Sequence, residues 1–146
     1  MARRLLSASI ALLLTLGLAS AQASNSVWSG LVMATNAPEP TPIPAELDRF
    51  ESTLKQLFGY NQYQVIGQSR NTLSKGEEDW RASSKYFALQ VHSKPAASAA
   101  YRLNLQLFQE EKLLLETDAE LSKKKPLVIR GPQVGQGQLV LLLVME

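Results

Sequence analysis

Residues 101–107 read Tyr-Arg-Leu-Asn-Leu-Gln-Leu, and apolar and polar side chains alternate along them without a break. Successive side chains of a β-strand point to opposite faces of the sheet. This period of two is therefore typical of a strand with one face in a core and the other in water. Such half-buried strands belong mainly to antiparallel sheets, because parallel sheets are covered on both faces. The segment predicts an antiparallel β-sheet.

Further strand patterns occur on both sides of this segment, separated by turn residues. Residues 138–145 are apolar on both faces, which predicts a central strand. Residues 70–83 are mostly polar and are expected to form a loop, and residues 131–137 are expected to form a hairpin turn. The other expected strands are residues 60–68, 84–92, 113–121 and 127–130.

One helix is expected ahead of these strands, at residues 44–58. Pro44 suits the first turn of a helix, and Gly59 suits the position just after its end. The apolar side chains recur at the helical period of 3.6 residues, as Leu47, Phe50, Leu54, Leu57 and Phe58. The chain is therefore predicted to be α+β, with an N-terminal helix packed on an antiparallel sheet or small β-sandwich of about six strands.

The beginning of the chain has the features of a secretory signal peptide. Arg3 and Arg4 give it a charged start, an apolar run follows at residues 5–18, and small residues at Ala21 and Ala23 fit a cleavage site. The apolar run is shorter than the roughly 20 residues that a membrane-spanning helix needs. We therefore expect an exported protein, either periplasmic or secreted. The predicted organisation is a signal peptide at 1–23, a Pro-rich lead-in or linker at 24–43, and a single α+β domain at 44–146. Within the lead-in, residues 24–36 are expected to be either a short strand or disordered.

The charge balance argues against nucleic acid as a partner. The chain has 15 basic and 13 acidic residues, and two of the basic residues, Arg3 and Arg4, lie in the predicted signal peptide. The mature chain would carry 13 of each sign and be neutral, whereas phosphate-backbone binding needs a surplus of Lys and Arg. The chain also lacks cysteine, which excludes disulfides and thiolate zinc sites.

No catalytic residue, cofactor site or metal site is predicted. His92 is the single histidine, and it is expected to be an outward-facing strand residue. The glycine-rich segment 131–137 precedes a strand, whereas phosphate-binding loops of the nucleotide-binding type precede a helix. The three consecutive acids at 77–79 lack the alternate spacing of an EF-hand calcium loop.

Successive connections of a simple antiparallel run alternate between the two ends of the sheet. This rule predicts an acidic end formed by residues 70–83, 110–111 and 131–137. It predicts a basic end formed by residues 94–98 and 122–125, which contain no acid. The candidate contacts for an anion or a partner are Lys94, Lys123, Lys124 and Lys125.

The function predicted from these features is that of a non-catalytic exported envelope protein, a binding or assembly accessory. Its partner would be an unknown envelope protein or ligand, with peripheral contact to an anionic membrane surface. One alternative is a carboxylate-dependent hydrolase that uses Glu116 or Asp118. The other is a carbohydrate- or peptide-binding module with a surface formed by Tyr60, Tyr63, Trp80, Tyr86 and Tyr101.

Two segments also resemble a group of uncharacterised small exported bacterial proteins. The first runs from Leu54 through Leu57-Phe58, Tyr60 and Tyr63 to Val65-Ile66-Gly67. The second is Pro126-Leu127-Val128-Ile129-Arg130-Gly131-Pro132, followed by Gly135, Gly137 and Gln138-Leu139-Val140. The resemblance implies one exported β-rich domain, and it carries no activity with it.

Overall fold

Eight β-strands and one helical segment make up the computed structural model, which describes residues 25–73 and 76–146. The predicted signal peptide at 1–23 lies outside the described residues. The helical segment consists of a 3₁₀ turn, Ala45–Phe50, followed directly by helix α1, Glu51–Phe58. The strands are β1 (Asn25–Thr35), β2 (Gln62–Leu73), β3 (Glu78–Ser83), β4 (Phe87–Pro95), β5 (Tyr101–Gln109), β6 (Lys112–Leu121), β7 (Leu127–Val134) and β8 (Gly137–Met145).

The strands form two antiparallel sheets that pack face to face as a β-sandwich. Sheet A has the order β2-β1-β8-β7, and sheet B has the order β3-β4-β5-β6. The alternation at residues 101–107 is confirmed, because Leu103, Leu105 and Leu107 are buried in the core between the sheets. Their partners in that core include Leu89, Val91, Leu139, Leu141 and Leu143.

The helical segment, which we call the cap (residues 45–58), covers the outer face of sheet A. Leu47, Phe50 and Leu54 of the cap pack on the outward-facing residues of β1 and β8, among them Val32 and Val140. Both faces of these two strands are therefore buried, and every residue of β8 is buried. The expectation of a central strand at 138–145 is confirmed.

Side chains from the sheet hold the cap in place. The Tyr63 hydroxyl donates a hydrogen bond of 2.9 Å to the carbonyl of Leu54. The Arg130 guanidinium lies 4.8 Å from the centroid of the Phe58 ring and donates to the carbonyl of Leu57 at 3.3 Å. Gly59 ends the helix with a left-handed φ of 74°, a conformation that glycine adopts without strain.

The order of the elements corrects one part of the sequence interpretation. The helix is not N-terminal among the described residues, because β1 precedes it. This strand lies between β2 and β8 in the middle of sheet A, whereas its residues were expected to lie in a lead-in outside the domain, as a short strand or disordered chain. Its pattern is obscured because both of its faces are covered, so apolar residues do not alternate with polar ones.

The count of about six strands was too low, since the described residues form eight. Residues 70–83 are not a loop: β2 continues to Leu73, and β3 begins at Glu78. The inward-facing residues of this part of β2 include Ser69 and Asn71, which give no apolar signal. The segment 131–137 is also mostly strand, because β7 continues through an irregularity to Val134.

Candidate functional site

The sandwich has two ends, and the connections between strands assign the candidate residues to them. The lower end, as defined here, carries the start of β1 at Asn25 and the connections β2–β3, β4–β5 and β6–β7. Lys94 and the lysines at 123–125 lie at this end, as expected. The additional strand β3 changes the alternation, however, and brings the acids at 77–79 to the same end. The predicted separation into a basic and an acidic end is therefore wrong.

Lys94 is neutralised locally by one of these acids. Its Nζ lies 3.7 Å from Oε1 of Glu77, and the other oxygen of that carboxylate lies 3.5 Å from Nε2 of His92. Lys94 is paired across the strands with Arg102, on the outer face of sheet B. It is therefore part of a mixed charge network on the sheet, separate from the other three lysines.

The lysine turn, Lys123–Lys125, is the most basic feature of the lower end. A hydrogen bond of 3.2 Å from the Lys125 amide to the Ser122 carbonyl closes the turn. All three lysines are exposed, and no ion pair joins them to another residue in the described part of the chain. Unpaired ammonium groups on a rigid turn can meet an anion without first breaking a contact within the protein.

A pocket of about 360 Å³ lies beside this turn. The sequence does not reveal it, because its lining residues are far apart along the chain. Three separate segments line it: the start of β1, the β4–β5 connection and the lysine turn. Its lining residues are Asn25, Ser98, Ala99, Ser122, Lys123 and Lys124. None of them is acidic, and together they offer ammonium, hydroxyl and amide donors. We call this the lower-end pocket.

The outer face of sheet B carries a polar network around His92. Its Nδ1 lies 2.7 Å from Oδ1 of Asp79, on the neighbouring strand β3. The expectation of an outward-facing strand residue is confirmed. A carboxylate oriented against a histidine is one part of a nucleophilic triad, but Ser93, the serine next to it in sequence, is buried and does not share its face.

The two carboxylates suggested for a hydrolase lie on the same outer face, in the edge strand β6. The Asn104 amide donates to Oδ1 of Asp118 at 3.0 Å and to Oε1 of Glu116 at 3.3 Å. One amide group therefore contacts both carboxylates on the exposed face of the sheet.

The five aromatic residues proposed as a binding surface are dispersed. Trp80 is buried between the sheets, and its indole nitrogen donates a hydrogen bond of 2.9 Å to the Ser29 hydroxyl. Tyr63 is buried beneath the cap. Tyr60 is partly buried against the cap cluster, and Tyr101 is partly buried against the core. Only Tyr86 among them is largely exposed, at 53%. They do not form one stacking platform.

A larger cleft of about 570 Å³ lies between the 3₁₀ turn and the lower part of sheet A. The Trp28 indole contributes to the lining of this cleft. Its nitrogen donates a hydrogen bond of 2.8 Å to the Gln68 side-chain oxygen. An ion pair between Arg70 and Glu146, 3.2 Å apart, lies at the same cleft. Acids and bases are both present, as Glu46, Asp48, Arg49, Arg70 and Glu146, so the cleft has no single charge preference.

Comparison of the chain with protein-family models, with curated proteins and with solved structures gives no match. No helix within residues 25–73 and 76–146 is long and apolar enough to cross a membrane. In the same part of the chain, no group of three acidic or histidine side chains is arranged to hold a metal ion. The site therefore has to be interpreted from its own chemistry.

Proposed function

We propose that this chain is a non-catalytic, exported binding module of the cell envelope, and that its lower end contacts an anionic membrane surface. The observation that carries the proposal is the lysine turn, with three consecutive exposed lysines that have no ion-pair partner among the described residues. Each Lys near an anionic surface contributes about 1 kcal/mol to binding. Three of them support contact that is reversible and sensitive to salt.

The position of the turn in the fold supports the same function. The chain enters the sandwich at the lower end, because β1 begins there with Asn25. The segment proposed as a signal peptide ends at Ala23, two residues before Asn25. A leader held in the membrane during export would keep the lower end, and with it the lysine turn, next to the bilayer.

The test is sedimentation of the exported protein with lipid vesicles at low salt. We expect binding to vesicles that contain phosphatidylglycerol and little binding to vesicles of phosphatidylcholine alone. Replacing the turn by Lys123→Gln, Lys124→Gln and Lys125→Gln should weaken binding at least tenfold, since about 3 kcal/mol of attraction corresponds to roughly 100-fold. Added salt should also weaken the binding of the wild-type protein to these vesicles, because salt screens the attraction between charges.

A matched control removes three lysines that lie away from the lower end: Lys55→Gln, Lys85→Gln and Lys112→Gln. Lys55 lies in α1, Lys85 in the β3–β4 connection and Lys112 at the start of β6. The two variants have the same net charge. Equal vesicle binding by both would contradict the proposal, because the attraction would then depend on net charge and not on the turn.

A further inference from the structure

We propose that the lower-end pocket is a binding site for a phosphate group, either free or carried by a lipid headgroup. This assignment rests on the proposed function, because the pocket shares Lys123 and Lys124 with the surface that would meet the membrane. Beyond that function, it names the chemical group that binds and the protein residues that hold it. Attraction to a diffuse basic surface would require neither a specific group nor a specific set of residues.

The residues that line the pocket carry donor groups of the types that bind a tetrahedral oxyanion. Two ammonium groups, from Lys123 and Lys124, supply positive charge, and Ser98 and Ser122 supply hydroxyl donors. Charge-assisted hydrogen bonds from lysine to phosphate are among the stronger polar contacts in proteins. The absence of a carboxylate from the lining means that an anion entering the pocket meets no repulsion from its walls.

Contacts from the surrounding strands give the pocket a fixed shape. The Asn25 amide lies 3.4 Å from the hydroxyl of Tyr101 and joins the start of β1 to the start of β5. The backbone amide of Ala96 donates a hydrogen bond of 2.9 Å to the carbonyl of Ala100, and this bond closes the β4–β5 connection. The lysine turn is closed by its own backbone hydrogen bond. A backbone held in place in this way loses little entropy when a ligand binds.

The backbone of the β4–β5 connection is strained at the pocket. Ser98 and Ala99 have φ values of 63° and 56°, in the left-handed region that L-residues with a Cβ rarely occupy. Both residues line the pocket. Strain of this kind tends to persist where a particular backbone geometry is needed for function. Here it holds the Ser98 side chain and its backbone beside the lysine turn.

The experiment is an NMR titration of the exported protein with inorganic phosphate, with ionic strength held constant by chloride. We expect saturable shifts of the backbone amides of Ser98, Ser122 and Lys124. Lys124→Gln should weaken phosphate binding at least fivefold. Lys125→Gln should leave it within about twofold, because Lys125 belongs to the same turn but does not line the pocket.

These two variants have the same net charge, so they separate a defined pocket from a diffuse attraction. Equal weakening by both, or an absence of saturable shifts at the lower end, would overturn the pocket assignment. The same variants are then tested on the phosphatidylglycerol vesicles. Vesicle binding without phosphate binding would overturn the pocket and leave the membrane contact standing. Phosphate binding without vesicle binding would overturn the membrane contact, leave the pocket assignment standing and identify a free phosphate compound as the ligand.

Discussion

Single hydroxyl and amide side chains satisfy the two buried tryptophan nitrogens of this sandwich. The Trp80 indole lies in the core, where its nitrogen cannot bond to water. It donates a hydrogen bond to the Ser29 hydroxyl instead. An unsatisfied buried donor costs about 1–3 kcal/mol, so Ser29 has a structural reason to be a small polar residue in a central strand. Trp28 makes the corresponding contact to Gln68 on the other face of sheet A.

Gly30 shows how one position can depend on its neighbour. A Cβ at this residue would lie 2.3 Å from the Trp28 indole, well inside van der Waals contact. The ring therefore occupies the space that any other residue would fill. The role of this glycine is close approach, since its backbone needs no left-handed conformation.

Tyr63 gives a prediction about alkaline pH. Burial raises the pKa of its phenol, and the hydroxyl donates to the carbonyl of Leu54. Because the pKa is raised in the folded state, its contribution to stability is fully present below the ordinary value of about 10 and is lost as pH rises through the folded pKa. Tyr63→Phe should cost about 1 kcal/mol in the free energy of unfolding at pH 8.

This cost should shrink as the pH approaches 11, because the wild-type protein loses stability there and the variant has no phenol at that position to ionise. The measurement is chemical denaturation of both proteins across this pH range. Tyr86→Phe, at an exposed position, is the control and should leave the unfolding free energy unchanged at pH 8. A cost for Tyr63→Phe that stays constant or grows with pH would show that ionisation of this phenol is not linked to folding.

The cap is the element in which local pattern and packing differ most clearly. The helical period placed Leu57 on the buried stripe with Leu54, but Leu57 is 52% exposed and Leu54 is fully buried. The first six residues form a 3₁₀ turn, which has about three residues per turn. Leu54 and Leu57 both lie in α1, however, so the change of winding does not separate them. Leu54 and Phe58 belong to the cluster between the cap and sheet A, and Leu57 lies outside that cluster.

The burial of Leu54 leads to a prediction for a matched pair of variants. Leu54→Asp should abolish cooperative folding, because an unpaired carboxylate in an apolar contact costs several kcal/mol against a typical total stability of about 5–15. Lys55→Asp introduces the same side chain at the next residue and should cost well under 1 kcal/mol. It removes only the exposed i,i+4 ion pair with Glu51. Similar melting temperatures for the two variants would contradict the packing of the cap on sheet A.

Two of the edge strands carry residues that oppose pairing with strands of other molecules. β6 carries Glu116, Asp118 and Glu120 on its outward-facing positions, and charges on an edge strand oppose the addition of another strand. β7 contains Pro132 at an irregularity in its pairing, and proline cannot donate to a ladder. The acids of β6 therefore have a structural role that does not require catalysis.

The topology of the whole molecule determines which charges meet. One additional strand, β3, shifts the acids at 77–79 to the end that carries Lys94 and the lysine turn. Lys94 is paired there with Glu77, whereas the lysine turn has no ion-pair partner among the described residues. The basic character of the lower end is therefore concentrated at the turn and its pocket.

The proposed path of the protein predicts its mature amino terminus. Expression with export should yield a chain that begins at Ser24, or at Gln22 if the earlier small-residue site is used. N-terminal sequencing of the exported protein gives the answer directly. Recovery of the chain in the membrane fraction with Met1 intact would refute cleavage.

Local patterns were sufficient for a large part of the fold. The alternation at residues 101–107, the helical segment at 44–58 and the doubly buried strand at 138–145 can be identified from sequence. Each of them depends on a periodicity that hydrophobic burial imposes on consecutive residues. The basic turn at 123–125 is also visible, because charge is a property of composition and needs no partner to define it.

Only the tertiary structure decided where β1 and β3 belong and which residues form the lower-end pocket. β1 is covered on both faces, so its apolar residues do not alternate with polar ones. β3 does alternate, but it has only two buried side chains, Trp80 and Ala82, and follows a polar part of β2. The pocket joins Asn25, Ser98 and Ser122, which are far apart in the sequence and have no shared pattern. Side chains of this kind acquire a common role only when the pairing of strands brings their ends together, because their chemistry depends on distance in space and not on spacing along the chain.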